Sequence, residues 1–418
     1  MGNYKPGGHS ITSTANRGRL RGSETQTMKL LHTADWHAGR VLRGQDRTPE
    51  IRQALEEILG VAKSESVDAV LVAGDLFDSA NPSADAENAV YEFFLSLGEA
   101  NIPSIVIAGN HDSPRRLDSV AGLLERVGVT VLGEVKASLK AVTLNLPAGK
   151  LIVGGLPFLS ERRLVKAADM IDSTLDTGLW KQKFREGMAF FMARLEAGFS
   201  ADAVNVLMLH STLDGGELSG SEFTFHVGNS YSIDPAAFSS SAQYVAMGHL
   251  HKPQQLRDAP PAVYSGSAIQ LDFGEAGEQK RVVVIEAEPG RRARLTSVPL
   301  SSGKQLKNIK VDMDGLERRL EEYRGFHGWL KVIVKLEHPL PGLKDRVLKI
   351  LPNALAVEVE LSEGAVTRDQ APPDAATLEP IEAFKRFYQE SRQKDVPDAI
   401  LKAFEELHTE VSGPGSLE

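Results

Sequence analysis

Four short, almost continuous apolar runs constrain the fold of this chain more than any other feature. Each run ends in a polar residue: DAVLVAGD (68–75), IPSIVIAGN (102–110), AVNVLMLH (203–210) and AQYVAMGH (242–249). Runs of this length and composition are typical of β-strands that are buried on both faces. Because longer amphipathic stretches alternate with short apolar runs from Lys29 to about Pro299, the sequence predicts sheets covered by helices in an α/β fold.

Polar side chains gather at the ends of these predicted strands. Five clusters share this position: Asp35-Trp36-His37, Gly74-Asp75-Leu76-Phe77-Asp78, Gly109-Asn110-His111-Asp112, the single His210, and Gly248-His249-Leu250-His251. Ligand sites in α/β proteins form outside the carboxyl ends of strands, and the glycines allow the sharp turns needed there. We therefore expect the five clusters to meet in one site.

The residue types in these clusters suit a pair of metal ions. In an extended segment, Asp-x-His and His-x-His place alternate side chains on the same side. A carboxylate such as Asp75 can bridge two cations, while imidazoles and one neutral amide complete the ligand shells. Mixed nitrogen and oxygen ligands suit Mn, Fe or Zn better than Mg or Ca alone. Two such ions can generate a hydroxide and stabilise displacement at phosphorus, so the pattern predicts phosphoester chemistry.

The composition narrows the metal chemistry and the cellular setting. The chain of 418 residues contains no cysteine, which excludes disulfides and thiolate metal sites and fits a reducing cytosol. No apolar run approaches the ~20 residues of a membrane span, and residues 1–27 lack the apolar core of a signal peptide. We therefore expect a cytoplasmic protein without a membrane partner. The net charge of −9 argues against a uniformly basic DNA-coating protein but leaves a local basic groove open.

The order D-x-H, G-D-x-x-D, G-N-H-D, H, G-H-x-H over residues 35–251 resembles the calcineurin-like metallophosphoesterases. More narrowly, the chain resembles the D-subunit family of the bacterial SbcCD nucleases in the segments HTADWHAGR, VAGDLFDSANPS, AGNHDSPRR, MGHLHKPQ and YSGSAIQLDFGE (264–275). The resemblance implies a four-layer αββα core, a small α/β capping domain and C-terminal helices.

Carried over residue by residue, the resemblance implies two divalent ions, which are manganese in this family. Asp35, His37, Asp75 and His251 would surround one ion, and Asp75, Asn110, His210 and His249 the other. His111 matches the family's catalytic histidine, which is not a metal ligand and acts on the leaving 3′ oxygen. We expect Asp112 to fix His111 or to cap the turn that follows.

The resemblance also implies a function and partners. The expected activity is a manganese-dependent DNA nuclease, with 3′-to-5′ exonuclease and single-strand or hairpin endonuclease action, working with an SbcC-type coiled-coil ATPase and as a homodimer. One alternative is a phosphatase or cyclic-nucleotide phosphodiesterase with the same metals, although protein phosphatases of the superfamily read G-D-x-V-D-R-G and G-N-H-E. Another alternative is a DNA-end scaffold with structural metals.

The pattern of elements predicts five regions along the chain. They are a disordered leader (1–27), a nuclease domain (28–300), a capping domain (301–363), a linker (364–378) and a helical region (379–412). The capping domain reads as strand, helix, strand, helix, strand. Apolar stripes in the helical region predict either packing on this chain or docking to the ATPase, and the resemblance favours docking.

Several residues near the motifs have two possible roles. Asp78 either supports the site or caps a helix, and we expect His32 to be a core histidine. A further set of basic residues would contact phosphates or form a solvated charged face: Arg40, Arg43, Arg47, Arg115, Arg116 and Lys252.

Overall fold

The computed structural model describes residues 27–136, 139–159, 177–220, 232–336, 338, 340–361 and separate positions between 381 and 404. The predicted linker, nearly all of the predicted leader and most of the predicted helical region lie outside these residues. The described residues belong to two compact units, one reaching Val334 and including Pro341–Val359, the other comprising those at 335–340 and from 360 onward. No helix in the described ranges is long and apolar enough to cross a membrane.

A six-stranded sheet forms the first half of the core, in the order β16-β15-β1-β4-β5-β6. Strands β1, β4, β5 and β6 run parallel, whereas β15 and β16 are antiparallel to their neighbours. The bounds are β1 Met28–Thr33, β4 Ala69–Val72, β5 Ser104–Ile107, β6 Val129–Leu132, β15 Arg281–Ala287 and β16 Arg294–Pro299.

A second six-stranded sheet has the order β13-β14-β12-β9-β8-β7. Its four central strands are parallel, and the edge strands β7 and β13 are antiparallel. The bounds are β7 Val142–Leu146, β8 Gly149–Leu156, β9 Val204–His210, β12 Tyr244–Gly248, β13 Gln254–Asp258 and β14 Pro261–Tyr264. Two-residue strands flank the sheets: β2 Val41–Leu42, β3 Gln45–Asp46, β10 Thr212–Leu213 and β11 Ser232–Ile233.

The two sheets pack face to face with helices on both outer sides. Alternate strand residues point to opposite faces, so Leu30 lies between the sheets while Leu31 packs against helices. The first sheet is covered by α1 Thr48–Ser64, α2 Ala84–Glu99 and α3 Pro114–Leu124, and the second by α4 Thr177–Glu196. The predicted four-layer αββα core is confirmed. Both faces of each sheet are covered, which explains the continuous apolar runs of the strands.

The small sheet β17-β18-β19 follows this core. Its elements are β17 Leu306–Asp312, α5 Leu316–Glu321, β18 Trp329–Leu336, α6 Leu343–Ile350 and β19 Ala354–Leu361. This is the predicted order of strand, helix, strand, helix, strand. Leu306 and Ala356 pack with Leu42 and Phe273 of the core, so this sheet has an apolar contact with the region that carries the site.

Among the described C-terminal positions, residues 381, 384, 388, 400 and 404 are helical. The ring of Phe384 stacks on that of Phe404, with centroids 4.1 Å apart. Two apolar side chains of the predicted helical region, one from each side of residue 395, therefore contact each other.

Candidate metal centre

The predicted site residues follow strand ends in both large sheets. Asp35 and His37 follow β1, Asp75 follows β4, and Asn110 follows β5. His210 is the last residue of β9, and His249 and His251 follow β12. The structure brings all seven together where the carboxyl ends of the two sheets meet.

The backbone of the site is held in unusual conformations. Four of the predicted ligands have positive φ angles: Asp35 (52°), His37 (51°), Asp75 (51°) and His249 (103°). Such angles are uncommon for residues with a Cβ atom and concentrate at functional sites. Main-chain hydrogen bonds support them, since Asp35 N donates to Gly74 O (3.0 Å) and Trp36 N donates to Asp75 O (2.8 Å).

Glycine is required at position 74. Its φ is +94°, and a Cβ atom placed there would overlap the His210 ring. The glycine therefore allows the β4 loop and a histidine of the other sheet to approach each other closely.

One set of ligands converges around His37 and His251. Their Nε2 atoms lie 3.1 Å apart, and Asp75 Oδ2 is 3.6 Å from His37 Nε2. Asp35, His37 and His251 offer ligand atoms within 4.8 Å of one another. Two imidazole nitrogens that face each other this closely need a proton or a cation between them.

A second set converges around Asn110. Its Oδ1 lies 2.9 Å from His210 Nε2 and 2.8 Å from His249 Nδ1. Asp75 Oδ2 is 3.3 Å from His210 Nε2, so this one carboxylate oxygen touches both sets. His210 Nδ1 faces Ala73 O at 2.7 Å. A proton on Nδ1 therefore leaves Nε2 directed at the site as a metal-binding nitrogen.

The electrostatics of the site favour a bound cation. Asp35 and Asp75 are both almost fully buried, and burying carboxylates without compensation is costly. Burial raises the pKa of Asp35 to about 7. Burial also opposes ionisation of Asp75, yet the neighbouring His210 holds the pKa of Asp75 well below its usual value.

The pKa values of His37 and His210 shift in opposite directions. Burial lowers the pKa of His37 to about 4, which keeps its imidazole in the neutral form that binds metals. Burial alone would lower the pKa of His210, but Asp75 and Asp35 raise it to about 9. A cation would compensate these carboxylates as the His210 proton does, and the donor set fits a pair of divalent ions.

His111 lies beside the converging ligands. Its main-chain N donates to Asp75 Oδ1 at 2.8 Å, and its Nδ1 faces Asp78 O at 2.9 Å. The ring is T-shaped to that of His37, with centroids 4.7 Å apart. His111 is thus fixed next to the site while remaining partly exposed.

The structure shows the contacts of Asp78 and Asp112. Asp78 Oδ1 lies 3.2 Å from His37 Nδ1, and the N-cap of α2 is Ser83, so Asp78 contacts a predicted ligand and does not cap α2. The prediction for Asp112 was wrong. Its carboxylate accepts from the main-chain N atoms of Leu76, Phe77 and Gly109, which ties two site loops together without contacting the His111 ring.

The basic residues divide by burial. Arg47 is fully buried in a bidentate pair with Glu50, so both expectations for it were wrong. The other five pair with carboxylates nearer the surface: Arg40 with Asp78, Arg43 with Glu358, Arg115 with Glu134, Arg116 with Glu87 and Lys252 with Glu217. Their contact with phosphates stays a prediction.

His32 is the expected core histidine. It is fully buried, and its Nδ1 lies 2.9 Å from the Tyr244 hydroxyl between the two sheets.

Sequence reasoning missed two residues that touch the site. Phe158 stacks on His249, with centroids 5.9 Å apart, and Glu275 Oε1 lies 3.1 Å from His251 Nδ1. Both follow signals present in the chain, because Phe158 lies two residues after the end of β8 and Glu275 ends the segment YSGSAIQLDFGE.

Two protein families match successive parts of the chain. The calcineurin-like phosphoesterase family matches residues 28–253, which hold every predicted metal ligand, and the Type 5 capsule protein repressor C-terminal domain matches residues 302–392. A solved structure of a dimetal phosphatase from Danio rerio aligns with a TM-score of 0.35 and 10% identity, covering 65% of this chain and 99% of that one.

Two curated relatives are each named as the D subunit of the nuclease SbcCD. The relative from Bacillus subtilis (strain 168) is 34% identical over 391 residues, covering 91% of this chain and 97% of the relative. The one from Rhodobacter capsulatus is 32% identical over 288 residues, covering 65% of this chain and 69% of the relative. The chain therefore belongs to the calcineurin-like phosphoesterases, within them to the family of SbcCD nuclease D subunits, and it is a metal-dependent phosphodiesterase.

Proposed function

We propose that the protein is a manganese-dependent DNA nuclease, a 3′-to-5′ exonuclease and a single-strand or hairpin endonuclease. The observation that carries the proposal is the convergence of two ligand sets on one oxygen, Asp75 Oδ2, which lies 3.6 Å from His37 Nε2 and 3.3 Å from His210 Nε2. A carboxylate shared between two sets of ligands is what a dinuclear phosphoesterase site requires.

In this proposal, each set of ligands holds one divalent ion. Asp35, His37 and His251 would hold the first, Asn110, His210 and His249 would hold the second, and Asp75 would contribute to both sets. When bound, the pair of ions supplies an activated nucleophile and neutralises charge on the phosphodiester. Manganese suits the mixture of imidazole, carboxylate and amide donors without sulfur.

His111 is the proposed catalytic residue. The carbonyl of Asp78 accepts a hydrogen bond from its Nδ1, so Nε2 is the ring nitrogen that exchanges a proton with the leaving 3′ oxygen. The hydrogen bond from His111 N to Asp75 Oδ1 holds the segment that carries this ring beside the proposed metal ligands. Asp78 also contacts His37, so one residue fixes both a ligand and the proposed proton donor.

DNA as substrate and the partners rest on the relatives. A chain that covers 97% of a protein named as the D subunit of the nuclease SbcCD fits the same role, as the nuclease component beside an SbcC-type ATPase. We assign ATPase docking to the helical region 379–412 and infer that the nuclease acts as a homodimer in the cytoplasm. The domain bounds 28–300 and 301–363 are part of this proposal.

The experiment measures nucleotide release from end-labelled linear DNA by the purified protein with Mn²⁺. We expect release that a chelator abolishes and that His111→Gln lowers by about 10²- to 10⁴-fold, the usual contribution of a positioned acid or base. His327→Gln, the same change at an exposed histidine of the small sheet domain, is the matched control and should keep full activity.

A second substrate separates the alternatives. Turnover of bis-p-nitrophenyl phosphate without release from DNA would favour a small-substrate phosphodiesterase or a strict need for the ATPase, and adding the ATPase distinguishes these two. If His111→Gln kept both activities, His111 would not be the catalytic residue.

A further inference from the structure

Glu275 is a buried carboxylate behind one of the proposed metal ligands. Glu275 is fully buried, and its Oε1 lies 3.1 Å from Nδ1 of His251. The other carboxylate oxygen, Oε2, accepts hydrogen bonds from Ser267 Oγ (3.1 Å) and Leu271 N (3.0 Å). The carboxylate is therefore held on both sides and cannot turn away from the His251 ring.

Lys280 compensates the charge of Glu275. Its Nζ lies 2.6 Å from Glu275 Oε2 and only 4% of its side chain is exposed. The same Nζ donates to the main-chain O of His251 at 3.0 Å. Lys280 thus contacts both the backbone of His251 and the carboxylate that faces its ring, so the three residues form one unit.

Two other proposed ligand imidazoles, those of His210 and His37, show what such an acceptor does. His210 Nδ1 faces Ala73 O, and His37 Nδ1 faces the Asp78 carboxylate. In each case one ring nitrogen meets an oxygen acceptor and the other is directed at the ligand set. Acceptors of this kind fix the tautomer and orientation of metal-binding histidines.

We propose that Glu275, clamped by Lys280, is a positioning residue that directs Nε2 of His251 into the Asp35 and His37 ligand set. The inference rests on the proposed function, because it concerns how the first ion is bound. Glu275 acts only through His251 and does not touch the substrate. A buried ion pair is a costly way to build a core, so its place directly behind a ligand is explained by this role.

The experiment measures Mn²⁺ binding by calorimetry and bound metal by elemental analysis. Glu275→Gln is expected to weaken the ion bound by His251 about 10- to 100-fold, the usual effect of removing such an acceptor. In the single variant, Lys280 keeps its ion pair with Glu278, at 2.8 Å. The double variant Glu275→Gln with Lys280→Met removes both charges of the clamp and tests the same loss if the single variant fails to fold.

Two controls separate positioning from structural damage. Glu50→Gln breaks another buried pair, that with Arg47, and should keep wild-type metal affinity. In a His251→Ala background, Glu275→Gln should cause no further loss, because the residue through which it acts is gone. Folded Glu275 variants with two ions bound at wild-type affinity would overturn the inference, whereas a wild-type protein that binds no Mn²⁺ would instead overturn the proposed function.

Discussion

At the scale of single residues, the site depends on backbone geometry that few residue types tolerate. Gly74 has a φ of +94°, and the His210 ring occupies the space that a side chain would need. The same turn carries Asp75, which contacts both ligand sets. A change at Gly74 therefore acts on the candidate metal site without replacing any of the proposed ligands.

We expect Gly74→Ala to displace His210 and to lower Mn²⁺ affinity at least tenfold while the sheets stay folded. The matched control is Gly60→Ala, since Gly60 is exposed on α1 and a Cβ there meets nothing within 4 Å. That control should keep its metal affinity and gain about 0.5–1 kcal/mol of stability. Calorimetric titration with Mn²⁺ checks both, and equal affinities in the two variants would contradict the argument.

His32 gives the fold a specific sensitivity to acid. Burial lowers its pKa from 6.5 to about 3, so between these values the unfolded chain binds one proton more than the folded chain. The contribution of neutral His32 to the free energy of unfolding is therefore fully present above pH 6.5 and is lost as the pH falls towards 3. From pH 7 to pH 5 this one group accounts for a loss of about 2 kcal/mol.

Urea unfolding at pH 7 and pH 5 tests this prediction. In His32→Gln, which can still bond the Tyr244 hydroxyl, the loss between the two pH values should shrink by about 2 kcal/mol. His327→Gln at an exposed position should leave the loss unchanged. An identical pH dependence in His32→Gln and wild type would show that His32 is not the group responsible.

At the scale of elements, a buried ion pair joins the small sheet to the core. Arg47, just before α1, binds Glu50 through two nitrogens at 2.8 Å. Glu50 also accepts from Trp329 Nε1 (3.2 Å) and Lys304 N (2.6 Å). The pair therefore satisfies donors from β18 and from the segment before β17 at once.

Removing one partner of this pair should lower the free energy of unfolding. Arg47→Met leaves the Glu50 carboxylate buried without its cation, and we expect a loss of about 3–5 kcal/mol in the free energy of unfolding. The double variant Arg47→Met with Glu50→Gln should recover part of that loss. Arg115→Ala breaks a pair in which the arginine side chain is 88% exposed and should have no measurable effect.

These contacts show where prediction from sequence succeeds and where it stops. The apolar runs and the polar residues at their ends are local patterns, so the layers and the site residues 35, 75, 110, 210 and 249 could be placed. The burial of Arg47 and the role of Asp112 could not. Arg47 pairs with the nearby Glu50 but also donates to Gln270 O, 223 residues away, and Asp112 accepts from Leu76 N, 36 residues away. A local sequence pattern carries no signal of such distant partners.

At the scale of the whole molecule, the candidate metal site lies where the carboxyl ends of the two sheets meet. Asp35, His37, Asp75 and Asn110 extend from the first sheet, whereas His210, His249 and His251 extend from the second. A bound pair of ions would link these two halves of the core. The unfolded chain lacks this arrangement, so metal binding should stabilise the folded state against unfolding.

We therefore expect removal of the metal to lower the melting temperature. With free Mn²⁺ at 100 times the dissociation constant, one site contributes about 2.7 kcal/mol, and chelation removes that contribution. His111→Gln should keep the full metal-dependent shift, because His111 lies beside the ligand sets and supplies no ligand in the proposal. Asp75→Asn should lose most of the shift, because it weakens both sets. Circular dichroism melts of the three proteins, with Mn²⁺ and with chelator, measure these differences. A full shift in Asp75→Asn, or none in His111→Gln, would contradict the assignment of ligands and catalyst.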